Sequence, residues 1–370
     1  MSKPISSQLL ASLRPSKSFR NNKPNSAITS VDFDDGGRWA IASCEDETLQ
    51  LYDCKQGKHS KTLYSKKYGV HLARFTHHST NVVYASTKED DTIRYLSLHD
   101  NLYVRYFKGH KKKVNCLEVS PLNDQFLSSS WDNTVRLWDL RSSHCHGLLN
   151  IPSPSLTTFD PAGIIFAVAN HPLESSICLY DLRNYDKEPF STFRLPPGAG
   201  HGQIADWTKI EFSNDGKLIL IGTRGDSHYI LDSFTGELKI RLYGHAPTMS
   251  NTPTSGDVCF TPDGGYVLAG SADKSVMVWD LHASTRDGAL APQHILDTYN
   301  CGVPRVLQFS PKNHLLVSAD KEVVSVSSIS LTIRAFGCQS RRDGHNIYIM
   351  IVLQLQISSD RDILTLYIEA

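Results

Sequence analysis

LSSSWDNTVRLWDLR, residues 127–141, and LAGSADKSVMVWDLH, residues 268–282, are written to one grammar. Small residues lead to an Asp and a turn, and apolar and β-branched residues then alternate into Trp-Asp. Alternation with period two is the mark of a strand with one buried face. Weaker copies end at Tyr52-Asp53, Leu96-Ser97, Tyr180-Asp181 and Leu231-Asp232, so the closing residues fall at 53, 97, 139, 181, 232 and 280, roughly 42–51 residues apart. That period fits one four-stranded unit per repeat.

The repeats can be followed along the chain. They run over 27–53, 70–97, 114–139, 156–181, 207–232 and 255–280, and a seventh opens at VPRVLQFSPKNHLLVSAD (303–320) before the pattern fades. The turns DPAG, NDG and PDGG supply hairpin chemistry between alternating strands. LPPGAGHGQIAD (195–206) is a Gly/Pro-rich insertion before the fifth repeat, and a second insertion precedes the sixth. These repeats resemble the WD-repeat β-propellers. The resemblance implies an all-β, seven-bladed WD-repeat β-propeller over 15–328, because an open stack of blades leaves strand edges unpaired. In that family the closing blade often takes its outer strand from the N-terminus, and Lys17-Ser18-Phe19-Arg20 stands at the right distance to supply it. Residues 1–14 are expected to be a flexible N-terminus.

The last blade is expected to be imperfect. KEVVSVSSISL (321–331) has no aromatic and no Trp-Asp, so VVSVSS (323–328) is left to stand in for the missing strand. Residues 329–370 read as a divergent C-terminal tail, one expectation for which is disorder, and an alternative ending after about Asp320 is expected. NIYIMIVLQLQI (346–357) is β-prone and too short to cross a membrane.

Composition excludes several classes of function. Lys+Arg and Asp+Glu balance at 38 each, so no global field favours nucleic acid or an anionic membrane, and any basic patch must be local. The eight cysteines are scattered without a CxxC pair, which fits reduced thiols. The N-terminus lacks a signal-peptide core and no run is long enough to span a membrane, so a soluble intracellular protein is expected. His144-Cys145-His146 is a poor metal site, because three consecutive residues do not readily surround one tetrahedral ion. The sequence carries no GxSxG, Walker loop, HExxH or dinucleotide fingerprint. No enzyme activity, cofactor, metal or small-molecule substrate is expected.

By the family resemblance, His110, Ser130, Asp132 and Trp138 match a hydrogen-bonded tetrad that braces a blade, and His245, Ser271, Asp273 and Trp279 are candidates for a second. Both read as structure, since a buried Asp, His and Trp must be paired.

TLYSKKYGV (62–70), DDTIRYLSLHDN (90–101), YVRYFKGHKKKV (103–114), TVRLWDLR (134–141) and FSNDGKLILI (212–221) narrow the resemblance. They are similar to the WD-repeat subunit of the COMPASS histone lysine-4 methyltransferase complex, a subunit also found in transcription-termination and RNA 3′-end-processing assemblies. The likeness covers about 15–320. It implies a nuclear, non-catalytic scaffold whose partners are methyltransferase subunits and the phosphorylated tail of RNA polymerase II, with no direct contact to nucleic acid or membrane. Two alternatives stand beside it. One is a scaffold of a termination phosphatase complex. The other is a cullin-4 ubiquitin-ligase receptor, implied by Trp138-Asp139-Leu140-Arg141 and Tyr180-Asp181-Leu182-Arg183, with Asp139, Arg141, Asp181 and Arg183 as adaptor contacts.

In WD blades the segment from one outer strand to the next inner strand lies on the top face. Two neighbouring segments of this kind would gather Lys66, Lys67, Lys111, Lys112 and Lys113 into one basic patch, with Tyr64 and Tyr68 beside it. Such a patch suits an acidic or phosphorylated peptide.

Overall fold

The computed structural model describes residues 5–328 apart from 21–25, 172–173, 196–205, 248–253 and 298–301, together with 330–333 and 353–356. Seven four-stranded antiparallel blades follow one another around an axis. From the axis outward, blade 1 is Ile28–Phe33, Trp39–Cys44, Thr48–Asp53 and Lys58–Tyr64, and blade 2 is His71–Phe75, Asn81–Ala85, Ile93–Ser97 and Leu102–Phe107. Blade 3 is Val114–Val119, Gln125–Ser130, Thr134–Asp139 and Cys145–Asn150, and blade 4 is Ser155–Phe159, Ile165–Asn170, Ser176–Asp181 and Ser191–Arg194. Blade 5 is Trp207–Phe212, Leu218–Thr223, Ser227–Asp232 and Leu238–Tyr243, and blade 6 is Val258–Phe260, Tyr266–Gly270, Ser275–Asp280 and His294–Asp297. Blade 7 takes Val306–Phe309, Leu315–Ala319 and Glu322–Ser328 from the end of the chain, and Leu13–Arg20 from its start as the outer strand. The N-terminal strand thus closes the ring, as expected, and 323–328 fills the third-strand position.

Register explains the repeated grammar. In each blade the first residue of the second strand pairs with the closing residue of the third, as Gln125 with Asp139 and Tyr266 with Asp280. The Asp at that point accepts from backbone N–H groups in the turn that follows. Asp139 Oδ1 takes Arg141 N at 2.8 Å, Asp232 Oδ1 takes Phe234 N at 2.8 Å, and Asp280 Oδ1 takes His282 N at 2.9 Å. The residue before it points into the seam toward the preceding blade. Trp138 lies there with Phe107, Phe126 and Leu117, all fully buried. In blade 7 the same two positions are Val326 and Ser327. The core is therefore a ring of inter-blade seams, and no single central cluster exists among the described residues.

Within the span expected to be flexible, Ser7–Ala11 forms a short helix, its first turn capped by Ser6, and Leu10 and Leu13 are buried in the seam of blades 6 and 7. Ala289–Leu290 adds a short parallel strand to blade 5. Past the propeller, Ser330–Ile333 pairs with Leu353–Gln356, and the remainder of the C-terminal tail lies outside the described residues. No helix among the described residues is long and apolar enough to cross a membrane.

Candidate functional site

The segments 65–70 and 108–113 both run from an outer strand to the next inner strand, blade 1 to 2 and blade 2 to 3, so they share a face. The first is a tight turn. Tyr68 N and Gly69 N both donate to Ser65 O, and Thr87 N and Lys88 N donate to Tyr68 O. Gly69 has φ +69°, and a Cβ there would sit 1.9 Å from Thr87 Oγ1, so the turn requires glycine. Beneath it Ser65 Oγ, Tyr84 OH and Tyr103 OH form a hydrogen-bonded chain with 3.0 Å links.

Tyr68 is held from two sides. The buried Arg94 guanidinium lies 3.6 Å from its ring centroid, and Tyr103 meets it edge-on at 6.0 Å. Arg94 in turn forms an ion pair with Asp90 at 2.9 Å, bonds to Ser86 and reaches toward Tyr106, 5.8 Å away. Lys67 lies over Tyr68 at 5.2 Å and Lys66 over Tyr64 at 5.5 Å. The face is therefore a platform of tyrosines edged by cations. On the second segment, Lys111 N donates to Asp132 Oδ2, Lys112 O accepts from Ser130 Oγ, and Lys113 O accepts from Trp131 N.

Acidic residues on neighbouring turns face some of these cations. Glu47 pairs with Lys88, Asp90 with Arg94, and Glu45 faces Lys113, whose pKa burial nevertheless lowers. These acids leave Lys66, Lys67, Lys111 and Lys112 with no ion pair among the described residues. Sequence reasoning missed Arg94, Tyr106 and Trp131. Trp131 is 51 % exposed beside the lysine run, where a large indole open to water is itself a signal.

The blade 3 brace is assembled, with one correction. Ser128, not Ser130, completes it: His110 Nε2 meets Ser128 Oγ at 2.7 Å and Trp138 Nε1 donates to the same oxygen at 2.8 Å. Ser130 lies on the same face but two residues further along, and its hydroxyl donates to Lys112 O. Asp132 Oδ2 stands 3.1 Å from His110 Nδ1. Burial lowers the His110 pKa against the pull of Asp132. Burial raises that of Asp132, but Thr134, the Lys111 N–H and His110 together hold it down to about 2. Neutral His110 thus donates from Nδ1 to an ionised Asp132 and accepts at Nε2 from Ser128, so every polar group is satisfied. An acid, a base and a hydroxyl in line mimic a hydrolase triad, yet Ser128 is 0 % exposed and its oxygen already accepts from an indole. No substrate reaches it.

The second tetrad does not form. Trp279 Nε1 donates to Tyr243 O, while His245 Nε2 bonds to Gly225 O and the ring stacks on His228 at 4.2 Å. Ser271 accepts from Ala246 N and Asp273 serves the turn at Ser275. The register gives the reason, since Ala269 stands where blade 3 has Ser128 and offers no hydroxyl.

On the opposite face, Arg141 folds back on Asp139 through two bonds, Nη2 to Oδ2 at 2.6 Å and Nε to Oδ1 at 2.9 Å. Asp181 caps the short 3-10 turn Leu182–Asn184, accepting from Arg183 N and Asn184 Nδ2 at 2.8 Å each.

The WD domain, G-beta repeat, matches residues 13–53, 101–139 and 236–280. The chain is 43% identical over 280 residues to the Set1 complex component swd2 of Schizosaccharomyces pombe, covering 75% of this chain and 77% of that protein. It is 41% identical to WD repeat-containing protein 82 of Drosophila melanogaster, over 84% of this chain and 93% of the relative. It is 38% identical to the COMPASS component SWD2 of Saccharomyces cerevisiae, over 83% and 93%.

Proposed function

Since the chain belongs to the WD-repeat family of the COMPASS component SWD2, we propose that it is a scaffold subunit of a histone lysine-4 methyltransferase complex of the Set1/COMPASS kind. The observation that carries this is identity of 38% and 43% to two subunits of such complexes across 83% and 75% of the chain. The role is non-catalytic, in keeping with a brace whose Ser128–His110 pair is sealed in the core. The place of action is the nucleus, where such a complex meets chromatin. The alternative assemblies are not favoured by these relatives, and Arg141, one of the four ligase-contact candidates, is engaged by another of them, Asp139. Tagged full-length protein purified from nuclear extract should bring down a lysine-4 methyltransferase and its activity on histone H3. Recovery with a cullin-4 adaptor and without methyltransferase would refute the assignment.

The finer reading is that the top face takes a phosphorylated or acidic peptide, such as the polymerase tail. Lys66 and Lys67 over the tyrosines, and Lys111 and Lys112 without ion pairs among the described residues on the neighbouring segment, support it, since each phosphate brings nearly two charges and strong acceptor oxygens. Changing Lys111, Lys112 and Lys113 together to Glu should weaken phosphopeptide binding at least about tenfold at low salt and flatten its salt dependence. Unchanged affinity and salt slope in a folded variant would remove the patch from consideration.

A further inference from the structure

The six complete blades agree at a second position that the Trp-Asp grammar hides. Two residues before the closing residue of the third strand stand Leu51, Tyr95, Leu137, Leu179, Ile230 and Val278, each packed into the seam with the following blade. In blade 7 the register places Ser325 there, paired with Val317, and Ser327 at the closing position. The seam of blades 7 and 1 therefore lacks an apolar side chain that the other six have. A groove of about 560 Å³ occupies the place.

Its walls are apolar. Phe19, Leu315, Val317 and Val323 line it from blade 7, Tyr52 lines it from blade 1, and the Phe19 and Tyr52 rings meet with centroids 5.0 Å apart. Its mouth is cationic. Lys17, Lys55 and Arg38 border it against a single carboxylate, Asp53, which is largely buried and 3.5 Å from Arg38. Lys17 and Lys55 make no ion pair among the described residues, and the Lys17 ammonium rests against Gly57, where a Cβ would approach it to 2.9 Å. Cys54 also borders the groove, but burial, with Asp34 and Asp53, pushes its thiol up to about 12, so the site has no ready nucleophile.

We infer that this seam is a docking groove for an acidic peptide segment that inserts one large apolar side chain beside Ser325 and sets carboxylates against Lys17 and Lys55. The apolar walls select the anchor and the unpaired cations select its neighbours. This surface lies on the side opposite the tyrosine platform, so the inference stands apart from the reading of that face.

The probe is a fluorescein-labelled peptide, Gly-Asp-Glu-Phe-Asp-Glu-Gly, read by anisotropy on the full-length protein, with two controls in which Phe is Ala or the acids are Lys. Saturable binding of the first alone is expected. Ser325→Leu puts into the groove the kind of side chain found at the other seams, giving up the 2.9 Å hydroxyl contact with Ser16, so it should weaken the probe at least about tenfold. Lys17→Glu with Lys55→Glu should weaken it by a similar factor, reduce the salt slope and leave the melting temperature in place, which carries the test if Ser325→Leu misfolds. The triple Glu change at Lys111, Lys112 and Lys113 should leave this probe unaffected. The inference is overturned if the probe ignores the groove variants, if it responds only to the top-face variant, or if the Ala control binds equally. It is also overturned by an absence of saturable binding, as when a second copy or the protein's own C-terminal residues fill the groove.

Discussion

Ser128 shows how much one hydroxyl can hold. Its proton goes to His110 Nε2 and its oxygen accepts from Trp138 Nε1, so its loss strands an imidazole and an indole in a dry seam. A buried group left unsatisfied costs about 1–3 kcal/mol, and Ser128→Ala should lower stability by an amount of that order in urea unfolding. The same change made in a Trp138→Phe background should cost clearly less, because the indole donor is already gone. Equal costs in the two backgrounds would mean that the brace is not coupled. This residue also marks a limit of legibility. His110, Asp132 and Trp138 are readable from their motif, whereas 128 and 130 lie on the same face of one strand within a run of three serines, and only pairing to the third strand separates them. Arg94 was hidden for a related reason. Four residues after Asp90, it carries no sign in the sequence of its place in the fold, yet folding carries it under Tyr68 with Asp90 as its partner.

Among the elements, strands were legible and connections were not. Period-two alternation placed the repeats, because burying one face dictates that pattern, whereas the N-terminal closing strand was reached only through the family resemblance and its distance from the first repeat. The parallel addition Ala289–Leu290 is two residues long and leaves no periodic trace. The turn 65–70 displays its lysines in the sequence but not the contacts that fix them. Gly69→Ala tests those contacts. A left-handed alanine costs about 1–2 kcal/mol before any clash, and the new Cβ would strike Thr87 Oγ1. The expected result is a loss of at least about 1 kcal/mol in chemical unfolding. Phosphopeptide binding should weaken with it, as Tyr68 leaves its seat on Arg94. If binding weakens and stability does not, the turn is adjustable and its role lies in contact alone.

For the whole molecule, ring closure brings the inner strands around one channel, and polar residues that read as the wet side of alternating strands meet there. Asp32, Arg74 and Glu118 come from three successive blades, with Lys209 and Glu211 facing them from blade 5. Arg74 Nε stands 3.7 Å from Glu118 Oε2, and Lys209 Nζ 3.0 Å from Glu211 Oε2. Burial raises Glu118 from an ordinary 4.5 to about 7, against the pull of Arg74, and raises Asp32 from 3.8 to about 6. Both carboxyls hold protons in the folded ring that they release in the unfolded chain. Between their ordinary and raised values the folded state binds more protons, so this contribution to stability is complete below about pH 4 and is lost as pH rises through 6 and 7. Glu118→Gln removes one of the two titrations and keeps a hydrogen-bonding group beside Arg74. The variant should gain melting temperature relative to the wild type as pH is raised from about 5 to 8. A difference that is constant across that range, or that shrinks with rising pH, would mean that Glu118 is already ionised in the channel at pH 5 and that Arg74 outweighs its burial.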